Sequence, residues 1–156
     1  MKHFENLSQE EIVVLENAVP QIAVLIAGAD GKIDVKEEVW AEKVTQIRGF
    51  AGDKWLNDFY DEVHANFAIR FRDLVKTLPT ETGKRQDALS DEIGKVNAVL
   101  AKLEPETGFK LYKSYKSYAK QVAGASGGLF GIHTISHDEE AWLGLPMITP
   151  IDEPVE

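Results

Sequence analysis

Residues 27–40 read Ala-Gly-Ala-Asp-Gly-Lys-Ile-Asp-Val-Lys-Glu-Glu-Val-Trp and join a glycine-containing turn to the start of a helix. Asp34 and Glu37 have the spacing of a capping box, in which each side chain accepts a hydrogen bond from the other residue's backbone N–H. Before the turn, apolar residues recur at the three- and four-residue spacing of one helix face. The stretch therefore predicts two helices joined by a tight turn.

The same pattern occurs a second time near the end of the chain. Residues 123–127 match the glycine half and residues 135–142 match the half that begins the helix, with a longer connector between them. Asp30 and Asp34 of the first copy are both serine in the second. The shared part predicts one structural unit used twice. The carboxylates found only in the first copy make that copy the candidate functional site.

Length and composition favour a single domain. The chain has 156 residues, 44% of them hydrophobic, which is enough to form one core. We place the domain at residues 1–146 and expect residues 147–156, an acidic tail with two prolines, to be poorly ordered. Cysteine is absent, so disulfides and thiolate metal sites are excluded. A bound metal ion would need oxygen ligands, which favours calcium, magnesium or manganese.

The charge balance argues against two classes of partner. The net charge is -9, and binding to nucleic acid or to an anionic membrane depends on lysine and arginine. The most apolar run, residues 18–29, is interrupted by Pro20 and falls short of the ~20 residues that cross a bilayer. No basic and apolar leader opens the chain. We therefore expect a cytoplasmic protein that neither binds nucleic acid nor inserts into a membrane.

Helical periodicity covers nearly every long segment, and no strand pattern competes with it. Ser8 and Glu11 form the capping-box pattern of the first helix, which Pro20 either kinks or divides. The later helices are predicted over 34–49, 53–78, 80–103, 105–123 and 136–144, the second of them capped by Asp53 and ending before Pro79. The helix after Asp34 carries the apolar residues Val39, Trp40, Val44 and Ile47, and the next one has apolar positions as far as Val75. The fold class is therefore all-α, a compact bundle of about six or seven helices with an internal pseudo-two-fold repeat.

The acidic turn overlays the second half of a calcium-binding EF-hand loop. Asp30, Gly31, Asp34 and Glu37 fall at positions 5, 6, 9 and 12 of that loop. The residues at positions 1 and 3 have no side-chain oxygen, so a complete EF-hand is excluded. A half-cage formed by Asp30, Asp34 and Glu37 or Glu38 remains, and we expect it to bind a hard divalent cation weakly.

A capped turn without any ion explains most of the same residues. Asp34 and Glu37 suit a capping box, and Glu38 is favourable near the positive end of a helix dipole. Capping does not explain Asp30, which adds a carboxylate where like charges repel. A metal site, a capped turn and an acidic docking patch therefore all remain open.

The acidic segment and its later counterpart resemble the two signature segments of TerB-like domains, the tellurite-resistance-associated family. The resemblance lies in residues 27–34 and 122–131, each followed by a Glu-Glu pair, with residues 96–103 similar to the family's middle helices. It covers about residues 15–145. The resemblance implies an all-helical fold with internal symmetry, an acidic cluster suspected of binding metal ions, and a stress-response role without demonstrated catalysis. The matching acidic positions are Asp30, Asp34, Glu37 and Glu38, with Glu139 and Glu140 in the second copy.

Two further groups of residues attract attention. His133 and His137 are four residues apart, but the predicted cap at Ser136 places His133 outside the helix, so we interpret both as exposed loop histidines rather than a zinc or nickel site.

A lysine stripe alternates with tyrosines on the helix after Pro105. Its members are Lys110, Lys113, Lys116 and Lys120, with Tyr112, Tyr115 and Tyr118 between them. Lysine stems lying over aromatic rings would explain this stripe, and so would docking of an anionic partner.

The sequence thus leads to three functional hypotheses. The first is a non-catalytic, TerB-like sensor or adaptor that binds calcium, magnesium or manganese at Asp30, Asp34, Glu37 and Glu38. The second is a protein interaction module that docks an unidentified protein partner without any metal. The third is a metal-assisted hydrolase, which paired carboxylates would permit.

Overall fold

The structure is a computed structural model that describes residues 2–29, 31, 33–48, 52–126 and 140–156. It confirms the all-α fold, and no strand occurs in the described residues. After a single 3-10 turn at Lys2–Phe4, the helices are α1 Gln9–Ala27, α2 Val35–Arg48, α3 Lys54–Thr77, α4 Thr82–Gly94, α5 Val96–Leu100 and α6 Pro105–Ser126. The number of helices in the whole chain and the internal repeat remain predictions.

Helix α1 is the centre of the bundle and contacts each of the other helices. The predicted capping box is present, because Glu11 N donates to Ser8 Oγ at 3.1 Å and Ser8 N donates to Glu11 Oε2 at 2.9 Å. The helix continues through Pro20, so the alternative of two separate helices is wrong. Every residue from 18 to 27 is buried, which explains why residues 22–27 are apolar on all sides of the helix.

Helices α2 and α3 pack against each other and against α1. Trp40 and Val44 of α2 face inward, but Val39 and Ile47 are exposed, and so is Val75 of α3. The apolar positions of these two helices are therefore not all buried. Helix α2 lies on the outside of the bundle and buries only a narrow stripe, and a stripe of that width leaves apolar residues beside it in solvent.

The segment predicted as one helix over 80–103 consists of α4 and α5, which are separated at Lys95. The interruption follows Gly94, a residue that stabilises a helix poorly. The predicted buried face is nevertheless confirmed. Its members are Leu89, Ile93, Val96, Leu100 and Leu103. Helix periodicity therefore identified the correct buried positions although the segment contains a break.

Helix α6 begins at Pro105 as predicted and runs to Ser126, so Gly124 lies in the helix and not in the loop that we expected after it. The chain beyond residue 146 also differs from expectation. Ile148 is buried at 2% exposure, and Asn97 of α5 bonds the backbone on both sides of it. The expectation of a poorly ordered tail is therefore wrong for residues 147–151, because their apolar side chains have a surface to pack on.

Several predictions fall outside the described residues. Residues 127–139 include His133, His137, Ser136 and Glu139, so neither the histidine pair nor the second capping box is tested. Asp30 also lies outside the described residues. Glu140 is described and exposed.

Candidate functional site: the α1–α2 turn and its surroundings

The turn after α1 depends on glycine at two positions. Gly28 N donates to Val24 O at 2.9 Å and ends the helix, and a Cβ at residue 28 would lie only 2.9 Å from that same oxygen. Gly31 has φ +92°, a backbone conformation that favours glycine, and its N–H donates to Gly28 O at 3.0 Å. The two glycines therefore permit the backbone conformation at the end of α1 and in the turn that follows it.

The predicted capping box at the start of α2 is present. Glu37 N donates to Asp34 Oδ1 at 2.8 Å, and Asp34 N donates to Glu37 Oε2 at 3.1 Å. An EF-hand glutamate at position 12 offers both of its oxygens to the ion. Here one oxygen of Glu37 already accepts a backbone hydrogen bond, so the observed geometry is that of a helix cap.

Glu38, the fourth predicted ligand, is directed toward α3. Its Oε1 accepts a hydrogen bond from Arg72 Nε at 2.9 Å, and only 14% of the side chain is exposed. The structure therefore brings Asp34 and Glu37 together and engages Glu38 elsewhere. In the ranges that the structure describes, no group of three His, Asp or Glu residues is placed to hold a metal ion. Because Asp30 is not among them, the predicted site at Asp30, Asp34, Glu37 and Glu38 stays a prediction.

A buried arginine supports the turn from inside, and sequence reasoning missed it. Arg85 of α4 is buried, and its Nη2 donates to Gly28 O at 2.8 Å while Nη1 donates to Thr80 O at 3.4 Å. A guanidinium is favourable against the carbonyls at the C-terminal end of α1. Arg85 stands four residues before Leu89, in phase with the buried face of α4, and this spacing is the only sequence signal that it points inward.

An apolar surface lies beside the acidic turn. Val35 and Val39 are four residues apart on one face of α2, and they are 72% and 58% exposed. Ile69 of α3 is 74% exposed and stands one turn before Arg72, whose ion pair with Glu38 joins the two helices. We name Val35, Val39 and Ile69, with the Glu38–Arg72 pair between the helices, the hairpin face.

The opposite side of α2 is fixed to α6. Trp40 Nε1 donates to Gln121 O at 3.0 Å, and the hydroxyl of Tyr118 donates to Ala41 O at 3.0 Å. Tyr118 is fully buried, and burial raises its pKa well above the usual value for tyrosine. These bonds hold α2 in place while its hairpin-face residues remain in solvent.

Two lysines of the stripe lie over aromatic rings, which is the first of the two interpretations given above. Lys113 lies over the ring of Phe109 and Lys116 over the ring of Tyr112, each with its Nζ at 5.4 Å from the ring centre. Tyr115 and Tyr118 are buried and belong to the core, so they are not part of an exposed basic and aromatic surface.

The first lysine of the stripe belongs to a separate ion-pair cluster. Lys110 Nζ is 2.8 Å from Asp53 Oδ2 and 2.8 Å from Glu106 Oε1. The hydrogen bond from Lys110 lowers the pKa of Asp53, and the two carboxylates raise the pKa of Lys110. Asp53 is at the N-cap of α3, as predicted, but its side chain makes no capping bond and binds Lys110 instead.

Comparisons of the chain with protein-family models, with curated proteins and with solved structures give no match. The TerB-like resemblance therefore rests on the residues quoted above and stays a prediction. Among the described residues, no helix is both long enough and apolar enough to span a membrane.

Proposed function

We propose that this chain is a non-catalytic, TerB-like adaptor domain that docks a protein partner on the hairpin face. The exposure of Val35, Val39 and Ile69 is the observation that carries the proposal. Exposed apolar side chains on two neighbouring helices are candidates for an interaction site. Burial of each such side chain by a partner is worth about 1.5 to 3 kcal/mol, which is a substantial contribution to binding.

The charges around the hairpin face favour a particular partner chemistry. Asp34 and Glu37 lie at the N-terminus of α2, and the whole chain has a net charge of -9. An amphipathic helix with apolar residues at three- and four-residue spacing, flanked by lysine or arginine, complements both features. Attraction between the two charge patterns would accelerate association and weaken as salt is added.

The docking proposal predicts which substitutions abolish partner binding. A Val39→Ser, Ile69→Ser double variant is the test, and Val155→Ser is the matched control because Val155 is 98% exposed but lies in the tail. All three chains should unfold at the same urea concentration, since exposed substitutions change stability by about 0.5 kcal/mol or less. In affinity capture from an extract of the source cells, quantified by mass spectrometry, the double variant should lose a partner that the control retains. Equal capture by both chains contradicts the proposal.

Cation binding at the turn is the second candidate function. It is favoured by the side chains of Asp34 and Glu37, which are held within one hydrogen-bonded box at the exposed N-terminus of α2. With Asp30 added, three carboxylates would supply oxygen ligands for calcium, magnesium or manganese. Glu38 is the least suitable of the four predicted ligands because Arg72 already binds it. A metal-assisted hydrolase remains a prediction that no observation favours.

A titration separates the two candidate functions. Trp40 lies six residues after Asp34 on the same helix and reports on α2 through its fluorescence. Calcium, magnesium and manganese should each be added to the wild type and to an Asp30→Ala, Asp34→Ala variant. A response in the wild type alone supports cation binding, and partner capture that is unchanged by a chelator supports docking without an ion. No fluorescence response in the wild type contradicts the cation site.

A further inference from the structure

An asparagine of α5 binds the backbone of the C-terminal segment, residues 145–151. Asn97 Nδ2 donates to Met147 O at 2.9 Å, and Thr149 N donates to Asn97 Oδ1 at 2.8 Å. The carbonyl before Ile148 and the N–H after it are thus both bonded to one neighbouring residue. A neighbouring β-strand can bond a chain in the same way. A side-chain amide used in this way recognises the path of a peptide and does not depend on the identity of residues 147 and 149.

Specificity comes instead from apolar side chains on the segment. Leu145 is fully buried and Ile148 is 2% exposed, so both fill positions in the core of the domain. Ile151 packs against the same core, and its Cδ1 approaches Gly108 in the first turns of α6. The Met147 carbonyl approaches Gly94 at the end of α4. We name the surface formed by Gly94, Asn97 and Gly108 the tail groove.

The backbone of the segment is a turn with one unfavourable residue. Ile148 N donates to Leu145 O at 3.0 Å and closes a turn that contains Pro146. Leu145 has φ 48°, a left-handed conformation that residues other than glycine adopt only at a free-energy cost. This cost lowers the free energy needed to release the segment from the groove.

We propose that the tail groove is a peptide-binding site that residues 145–151 occupy in cis. Its partner in trans is a peptide of another protein with the pattern Leu-Pro-x-Ile-x-Pro-Ile, which supplies the same turn and the same two buried side chains. Prolines at the second and sixth positions restrict the free peptide and reduce the entropy lost on binding. The groove lies on α4, α5 and α6, so this proposal is independent of docking on α2 and α3.

Competition in the full-length chain tests the proposal. Ile148→Asp places a charge in a buried position and should release the segment without removing it from the chain. The probe is a fluorescein-labelled peptide of residues 144–152, and the control probe is the same peptide carrying Ile148→Asp. Fluorescence anisotropy should show the probe binding at least about tenfold more tightly to the Ile148→Asp chain than to the wild type. The reason is that a tethered segment competes at an effective concentration in the millimolar range.

The asparagine supplies the second part of the test. Adding Asn97→Leu to the Ile148→Asp chain removes both hydrogen bonds and should weaken binding of the probe by about tenfold or more. Equal affinity with and without Asn97 overturns the proposal. So does equal binding of the two peptides, or no binding to a folded Ile148→Asp chain.

Hydrogen exchange of the wild type decides the matter if circular dichroism shows that Ile148→Asp does not fold. The amide of Thr149 should then exchange through local opening, with less protection than the amides of α1. Exchange of Thr149 only through global unfolding would mean that the segment is a permanent part of the core, and the proposal would be wrong.

Discussion

The capping box at the start of α2 gives the sharpest test of what the acidic turn does. Asp34→Ala removes the acceptor of the 2.8 Å bond from Glu37 N and also ends the reciprocal arrangement. Loss of an N-cap costs about 1 kcal/mol, within a range of about 0.5 to 2. The charge of Asp34 near the helix N-terminus adds about 0.3 to 1 kcal/mol. We therefore expect Asp34→Ala to lower the free energy of unfolding by about 1 to 2 kcal/mol, which corresponds to about 2 to 8 °C in Tm for a chain of this size.

Two matched variants isolate the cause. Ser8→Ala removes the same kind of box from α1, where no acidic turn precedes the helix, and should cost about 1 kcal/mol. Asp34→Asn keeps the capping acceptor and loses only the charge, so it should cost no more than about 1 kcal/mol. Because a neutral amide binds a divalent cation less well than a carboxylate, Asp34→Asn should also abolish any stabilisation by added calcium.

The assay is urea unfolding followed by far-UV circular dichroism, first in a chelator and then in calcium. If Asp34→Ala lowers the free energy of unfolding by less than about 0.3 kcal/mol in the chelator, the capping argument is refuted. Equal destabilisation by Asp34→Ala and Asp34→Asn would refute it as well, since the amide preserves the cap.

Three other predictions concern buried groups, the turn and pH. Tyr115→Phe and Tyr118→Phe each remove a hydroxyl that donates to a helix carbonyl, at 2.8 and 3.0 Å, and should each cost about 1 kcal/mol in urea unfolding. Tyr112→Phe is the control and should cost less, because no hydrogen bond of its hydroxyl is found in the described part of the chain. Gly31→Ala should cost about 1 kcal/mol or more at φ +92°, and an unchanged Tm would show that the turn relaxes. Burial raises the pKa of Glu16 above 4.5. Between pH 4.5 and the raised pKa, the folded state therefore binds more protons than the unfolded state. The free energy of unfolding increases as the pH falls through that interval. Glu16→Gln should reduce the change of the urea unfolding midpoint with pH. An unchanged pH dependence in this variant would contradict the role given to Glu16.

Local features of the fold were predictable from sequence. The capping boxes at Ser8 and Asp34 depend on residues three positions apart and on the backbone between them, so a short pattern contains the whole interaction. The buried face of α4 and α5 follows from helical periodicity alone. The same periodicity did not reveal the break at Lys95, because a short interruption shifts the buried face only slightly.

Features of the candidate site that depend on distant residues were not predictable. Glu38 meets Arg72 across 34 positions of sequence, and Arg85 meets Gly28 across 57. Periodicity tells which face of a helix is apolar, but it does not tell which neighbour covers that face. For this reason the apolar pattern of α2 does not reveal that Val39 is exposed.

The sequence by itself determined that this protein is an all-α domain with a capped helix after an acidic turn. Both follow from interactions within one or two helical turns. Only the tertiary structure decided that Glu38 binds Arg72, that the hairpin face stays in solvent, and that Asn97 holds the C-terminal segment. Each of these depends on the packing of helices that are far apart in sequence, and packing is set by the shape and volume of the whole core.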